Sequence, residues 1–244
     1  GVVTEIGEGV LDFKPGDEVY GQSLIVNGGS GSLAEFASSN AANTALKLKS
    51  INHVESASLP LVGSSAIQVL EEHIKLKSGD KILIHGGSGG IGSISVQLAK
   101  YLGAYVATTV GTENVEFVKG LGADETIDYK TQKFEELLKD FDAVFDTVGG
   151  ETTDKSFKVL KKNGIIVSML GAPNPELAKQ YGITVIGQNT RINNNTLTRL
   201  TELVDKGAVK PKVDKVFPLD KTREALEYFE NGHPRGKVVV KIKE

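Results

Sequence analysis

The 244-residue chain contains no cysteine and no tryptophan, and only one methionine. Without cysteine these residues can form no disulfide, no thiolate metal site and no cysteine nucleophile. Such a composition fits a reducing compartment and predicts a cytoplasmic protein. No apolar run approaches the ~20 residues that a membrane-spanning helix needs, so we expect no membrane partner.

Neither sign of charge is in excess, because 28 basic and 31 acidic residues give a net charge of -3. This balance provides no basic face for nucleic acid or for an anionic membrane. The histidines are also few and scattered, and none lies in an H-E-x-x-H motif. They are His53, His73, His85 and His233. The sequence therefore predicts no metal site.

The most informative segment is the glycine-rich stretch that follows residues 81–85. Residues 81–85 are mostly apolar and predict a strand. Beyond the glycines, apolar residues recur at helical spacing up to a glycine that is typical of a helix C-terminus. They are Ile91, Ile94, Leu98 and Leu102, followed by Gly103. The pattern predicts a strand, a turn and a helix.

The turn fits the motif G-x-G-x-x-G through Gly87, Gly89 and Gly92. We expect the first glycine to permit a tight turn, the second to admit a pyrophosphate and the third to allow close packing of the helix. The pyrophosphate would then meet the amide groups at the helix N-terminus. The predicted phosphate-binding residues are Gly87, Ser88, Gly89, Gly90 and Ile91. His85 is interpreted as a spacer rather than a catalytic base.

Strands and helices alternate through the middle of the chain. The predicted strands after the first are residues 105–110, 125–128, 143–146, 165–169 and 184–186, with helical segments that include 134–138 and 156–160. This alternation predicts an α/β fold with a doubly wound, parallel, six-stranded Rossmann sheet.

Both ends of the chain have a different character. Short strand-like segments, including residues 1–6 and 34–37, occur in the first 59 residues, and two further strands occur at 213–219 and 237–242. We predict that residues 1–59 and 211–244 form one β-rich domain and that residues 60–210 form the dinucleotide-binding domain.

Four segments give the chain a resemblance to a known family. They are residues 1–19, 59–66, 85–100 and 121–129, followed much later by Gly232-His233-Pro234-Arg235-Gly236-Lys237. In this order they resemble the zinc-independent quinone oxidoreductase branch of the medium-chain dehydrogenase/reductases. The resemblance implies a GroES-like catalytic domain built from both chain ends. It also implies that an N-terminal part of the family pattern is absent here, which leaves the substrate pocket undefined.

The end of the second predicted strand bears on cofactor choice. A site selective for NAD has an acid about 20 residues beyond the glycines, whereas Thr109, Gly111 and Thr112 stand there. This favours NADPH over NADH. Glu113 is contrary evidence, because related sequences often carry a lysine there. Tyr129 resembles the family tyrosine beside the adenosine phosphate, although a tyrosine that packs a strand end would look the same.

The remaining site predictions come from the resemblance. Ser65 matches a hydroxyl near the nicotinamide, or else bonds back to a helix carbonyl. Four residues follow the fourth and fifth strands, where ligands of open α/β sheets bind; they are Val148, Gly149, Leu170 and Gly171. Arg235 and Lys237 match the family tail near the cofactor, although Arg235 could be a solvated turn residue.

We therefore predict an NADPH-dependent reductase of quinones or α,β-unsaturated carbonyls that works without zinc. The alternatives are a non-catalytic NADP(H)-binding protein and an enoyl-thioester reductase. No catalytic residue or proton donor is identified, and Tyr20 is the tyrosine nearest the N-terminal segment. The resemblance implies a homodimer paired through the strand at 184–186.

Overall fold

A computed structural model describes residues 1–243, without the side chain of Asn27. The described chain divides into two compact units. One contains residues 1–64 and 191–243, and the other contains residues 65–190. Residues 60–64 and 191–210 thus lie with the chain ends, and the assignment of two functional domains stays a prediction.

Ten strands occur in the described residues. In chain order they are β1 Val19–Gly21, β2 Thr44–Leu46, β3 Lys81–His85, β4 Tyr105–Val110, β5 Glu125–Asp128, β6 Phe141–Asp146, β7 Leu160–Ser168, β8 Thr184–Gly187, β9 Val213–Pro218 and β10 Lys237–Lys241. The α-helices of the same residues are α1 His53–Ala57, α2 Pro60–Ile67, α3 Gly90–Tyr101, α4 Val115–Gly120, α5 Phe134–Leu137, α6 Glu151–Ser156, α7 Pro175–Tyr181, α8 Asn194–Asp205 and α9 Thr222–Asn231.

The unit of residues 65–190 is built on a six-stranded sheet. Its strand order is β5-β4-β3-β6-β7-β8, and every neighbouring pair is parallel. The order reverses between β3 and β6, which is the point where open α/β sheets bind ligands beyond the carboxyl ends of their strands. The predicted doubly wound sheet is confirmed.

Both faces of this sheet are buried, as expected where helices cover a parallel sheet. On one face Leu83 lies opposite Ala107 and Val144 on the neighbouring strands, and all three are fully buried. On the other face Ile84 lies opposite Phe145, and both are equally inaccessible. The central strands therefore lie rigidly between two layers of helices, and their carboxyl ends have fixed positions.

The strand predicted at residues 1–6 is reduced to an isolated bridge between Val2 and Glu18. Three further local features differ from the predictions. Residues 157–159 form a 3-10 turn after α6, and strand β7 already begins at Leu160, so the helix predicted up to residue 160 is too long. Helix α7 was not predicted, although Asn174 caps it and Pro175 occupies its first turn. Residues 34–37 form bends instead of a strand.

The unit of the two chain ends contains two small sheets. Strands β1 and β2 pair antiparallel, and β9 and β10 pair parallel. The hydroxyl of Tyr20 donates to the backbone oxygen of Leu197 on α8 at 2.7 Å. Burial raises the pKa of Tyr20 to about 12, so this tyrosine fastens β1 to α8 and is poorly suited to donate a proton.

His85, at the carboxyl end of β3, is a buried connection between three elements. Its Nδ1 lies 3.0 Å from the hydroxyl of Thr109, and its Nε2 lies 2.9 Å from that of Ser156. Burial lowers the pKa of His85 to about 4, although nearby Asp146 opposes the shift. The ring is therefore neutral near pH 7, which makes it a structural connection, as the predicted spacer role requires.

We expect His85 to make folding sensitive to acid. Between its unfolded pKa of about 6.5 and its folded pKa of about 4, the unfolded chain binds the proton more readily, so stability falls as the pH falls through this window. His85→Gln should lower stability at every pH but should lose less on going from about pH 7 to about pH 5.

Urea unfolding followed by circular dichroism measures this difference. His233→Gln changes an exposed histidine and should keep the wild-type pH dependence. An unchanged pH dependence in His85→Gln would show that His85 has the same pKa in the folded and the unfolded chain, which would contradict the lowering by burial.

Candidate dinucleotide site

The carboxyl edge of the six-stranded sheet brings most predicted site residues together. Because all six strands are parallel, the segments that follow them emerge on the same side. These segments contain the glycine turn after β3, residues 111–113 after β4, Tyr129 after β5, residues 148–149 after β6 and residues 170–171 after β7. Topology alone thus groups residues that are up to 84 positions apart, from 87 to 171.

The turn after β3 obtains its shape from Gly86, not from the first glycine of the motif. Gly86 has a φ of +74°, in the left-handed region that favours glycine. Gly87 lacks this conformation, but a Cβ on Gly87 would lie 2.1 Å from the hydroxyl oxygen of Thr108. The role predicted for Gly87 in the tight turn is therefore corrected, because Gly87 is needed for close packing against β4.

The other two glycines of the motif differ in what surrounds them. A Cβ on Gly92 would lie 2.1 Å from the backbone oxygen of Gly86, so the helix could not approach the turn with any larger residue there. A Cβ on Gly89 would meet only this same oxygen, at 3.4 Å, which is an ordinary contact. Gly89 also has an unstrained φ of -72°. Nothing described in the protein itself requires a glycine at position 89.

Helix α3 presents its N-terminus at this turn. Gly89 is the N-cap residue and has no side chain that could occupy the first amide groups of the helix. Those amides lack partners within a helix and carry partial positive charge. Gly90, Ile91 and the adjoining Ser88 are only half-buried. The residues present therefore fit a pyrophosphate, which would come close to the backbone at Gly89.

Asp146, at the end of β6, shapes the loop on the other side of the reversal point. Its Oδ1 accepts the amides of Val148 and Gly149 at 2.8 and 3.0 Å. Its Oδ2 accepts the hydroxyls of Thr153 and Ser168. Asp146 is fully buried and bonds to four groups, and it therefore organises this loop.

The loops after β6 and β7 have an accessible surface above this buried carboxylate. Val148 and Leu170 are 52% and 61% exposed. Gly149 has a φ of +83°, and a Cβ there would lie 2.9 Å from Cβ of Leu170, so the two loops touch. Gly171 likewise has a positive φ of +108°. These residues lie where they were predicted, and their contact with a cofactor stays a prediction.

The end of β4 differs from expectation at one residue. Thr109 is buried, and its hydroxyl lies between His85 Nδ1 and the amide of Gly86, 3.3 Å away. This hydroxyl therefore points into the protein and not towards the cofactor, whereas Thr109 was predicted as a cofactor-binding residue. Thr112 is exposed and donates to Asp128 Oδ2 at 2.6 Å. Gly111 is buried between them.

Two charged residues form a contact next to Thr112, beyond the end of β4. Glu113 accepts a hydrogen bond from Nζ of Lys130 at 2.8 Å. Lys130 follows Tyr129 directly, and Tyr129 is 56% exposed, so its place beside the adenosine phosphate stays a prediction. The sequence analysis missed Lys130. Its position next to the predicted adenosine tyrosine was the available signal.

Ser65 begins the same unit but lies away from the strand ends in sequence. It is fully buried, and its hydroxyl is 2.7 Å from that of Thr190, just beyond β8. Three other polar side chains of this unit are joined by two hydrogen bonds of 2.7 Å each: His73, Gln188 and Gln68. Ser65 is thus held in place, and its nicotinamide role stays a prediction.

Arg235 and Lys237 belong to the unit of the chain ends. Arg235 is exposed in the turn before β10. Lys237 is half-buried, and burial lowers its pKa. Its amide donates to the backbone oxygen of Lys212 at 2.9 Å. Their predicted contact with the cofactor stays a prediction.

Residues 1–243 contain no group of three or more acidic or histidine side chains placed to hold a metal ion. No helix in this part of the chain is both long enough and apolar enough to cross a membrane.

Comparison with known proteins places this geometry in a family. A family model described as zinc-binding dehydrogenase matches residues 121–240. The chain is 38% identical over 251 residues to the chloroplastic NADPH-dependent alkenal/one oxidoreductase of Arabidopsis thaliana. That match covers 98% of this chain and 61% of the relative. The chain thus spans under two thirds of that relative's length.

Two further comparisons cover more of the known protein. The chloroplast envelope quinone oxidoreductase homolog of Arabidopsis thaliana is 35% identical, with 98% of this chain and 77% of the relative covered. The structure of the quinone oxidoreductase from Coxiella burnetii matches with a TM-score of 0.86 and 32% identity, over 100% of this chain and 77% of that one. The chain therefore belongs to the quinone oxidoreductase-like branch of the medium-chain dehydrogenase/reductase superfamily.

Proposed function

We propose that the protein is an NADPH-dependent reductase that transfers hydride to quinones or α,β-unsaturated carbonyls without zinc. The observation that carries the proposal is the bare backbone at Gly89. No contact within the described protein demands a glycine there, whereas a pyrophosphate on the amides of α3 does. We infer the cofactor and the class of acceptor from the name of the related alkenal/one oxidoreductase.

The chain's own residues bind and orient the cofactor. The amides at residues 90 and 91 hold its phosphates, and the touching loops around Val148 and Leu170 define the path towards the reacting end. NADPH supplies the hydride from its nicotinamide ring, and the protein contributes position and electrostatics. Oxygen of the reduced acceptor must be stabilised by hydrogen bonds or water, since we assign no metal.

The location stays a prediction. Absence of cysteine motivated a cytoplasmic assignment. The names of several relatives refer to chloroplasts or mitochondria instead, so either kind of organelle is a further candidate.

Gly89→Ala should separate binding from folding. We expect at least about a tenfold loss of NADPH affinity, because the new methyl group occupies the approach of the pyrophosphate. Stability should change little, since Cβ meets nothing closer than 3.4 Å. Calorimetric titration with NADPH and urea unfolding measure the two effects.

Two further glycine variants serve as controls for Gly89→Ala. Gly92→Ala should destabilise the fold, because its Cβ would overlap the Gly86 oxygen. Gly120→Ala meets nothing within 4 Å at the end of α4 and should leave both quantities unchanged. Undiminished NADPH binding by Gly89→Ala would contradict the proposed phosphate position.

Oxidation of NADPH should be observed with at least one quinone or enone. The absorbance of NADPH can be followed against panels of quinones, alkenals and enoyl thioesters, with NADH as the second donor. Turnover only with enoyl thioesters would favour the enoyl-thioester reductase. Tight NADPH binding without turnover of any acceptor would favour the non-catalytic binding protein.

We also propose that the protein forms a homodimer through strand β8. This strand is at one edge of the six-stranded sheet and pairs only with β7 among the described strands. Val185 and Ile186 within it are half-buried apolar residues, and an unpaired edge strand is a ready site for pairing.

Light scattering should therefore give twice the 26.0 kDa mass of the chain. Ile186→Lys should shift the protein towards monomer, because it puts a charge on the edge that pairs. Leu137→Lys, at an exposed position of α5, should not. A monomeric wild-type protein would refute the dimer.

A further inference from the structure

Glu113 and Lys130 form an ion pair beside Tyr129, where we expect the adenosine of the cofactor. We call this place, at the ends of β4 and β5, the adenosine corner. The Nζ of Lys130 is 2.8 Å from Oε2 of Glu113, and both side chains are 47% exposed. Exposed ion pairs of this kind contribute little to stability. The pair joins the segments after β4 and β5, which the register already aligns through Val110 and Asp128. We therefore expect the contact to contribute little to the stability of the fold.

Glu113 lies over the end of β4. A Cβ built on Gly111 would be 2.8 Å from Oε1 and 3.1 Å from Oε2 of Glu113. The carboxylate thus covers the backbone beyond β4, where the adenosine ribose of a Rossmann cofactor stands. The carboxylate places negative charge where the 2′-phosphate of NADPH would add further negative charge.

The other carboxylate at the adenosine corner, that of Asp128, is fixed by hydrogen bonds within the protein. Asp128 accepts the hydroxyl of Thr112 at 2.6 Å and the amide of Lys130 at 3.0 Å. The bond from Thr112 is the main reason that the pKa of Asp128 is lowered. The pKa of Lys130 is raised, chiefly by its bond to Glu113. Lys130 therefore keeps its positive charge near neutral pH.

We propose that the Glu113–Lys130 pair sets the preference for NADPH over NADH, with Lys130 binding the 2′-phosphate and Glu113 competing for Lys130. The inference rests on the proposed function and names two residues that determine its cofactor specificity. A lysine ammonium binds phosphate as a point charge. A carboxylate in contact with it takes up part of that charge and repels the incoming phosphate.

The two members of the pair therefore have opposite effects on one quantity. Lys130 strengthens binding of the phosphorylated cofactor, and Glu113 weakens it. NADH lacks the 2′-phosphate, so Lys130 should not matter to its affinity. Glu113 can accept a hydrogen bond from the free ribose 2′-hydroxyl of NADH, so it does not weaken NADH binding. The preference for NADPH in the wild-type protein should accordingly be modest and should decrease with salt, because both side chains are exposed.

Calorimetric titration with two matched ligand pairs tests the proposal. The first pair is NADPH and NADH, and the second is adenosine 2′,5′-bisphosphate and 5′-AMP, which omit the nicotinamide. Lys130→Gln should weaken NADPH and the bisphosphate about tenfold and leave NADH and AMP unchanged. Glu113→Gln should strengthen the two phosphorylated ligands about threefold. In the double variant the gain from Glu113→Gln should largely disappear.

Lys133→Gln is the matched control. Lys133 is three residues further along the chain, is exposed and pairs with Glu136 at 2.9 Å. It should bind all four ligands as the wild-type protein does. Equal effects of Lys130→Gln on NADPH and NADH, or no effect on either, would overturn the inference while leaving the proposed function intact. Failure of the wild-type protein to bind either cofactor would overturn both.

Discussion

Helix α3 begins in van der Waals contact with the turn that precedes it, and the position of the proposed site depends on this contact. The backbone oxygen of Gly86 accepts the amide of Gly89 at 3.1 Å and lies directly beneath Gly92. The absence of a Cβ at position 92 lets the helix start at the end of the central strand. Its polarised amides therefore open at the edge of the sheet where the strand order reverses.

The two ends of the site differ in rigidity. At the phosphate turn and in the neighbouring loops, buried polar groups are fixed by several hydrogen bonds, above all His85 and Asp146. At the adenosine corner the charges are exposed and belong to flexible side chains, Glu113 and Lys130. We therefore expect phosphate binding to depend on the backbone, and cofactor preference to depend on exposed side chains that substitution can change at little cost to the fold.

Much of the fold could be predicted from the sequence, because its signals are local. The strand at 81–85, the strands at 105–110 and 125–128 and the first part of the edge strand at 184–186 agree with the structure. Helix α7 is short and weakly patterned, so its asparagine cap was the only strong signal. The residues grouped at the carboxyl edge also followed from the alternation, since parallel strands end on the same side.

The sequence by itself determined the alternating architecture, the glycine motif and the family. Only the tertiary structure decided what individual polar residues do. Thr109 bonds to His85, 24 positions away, and Lys130 pairs with Glu113 across two strands. Such contacts join residues that are distant in the chain, and no local pattern specifies which hydroxyl faces inwards or which charges meet. Burial and strand register fix these partners, and both are properties of the folded chain as a whole.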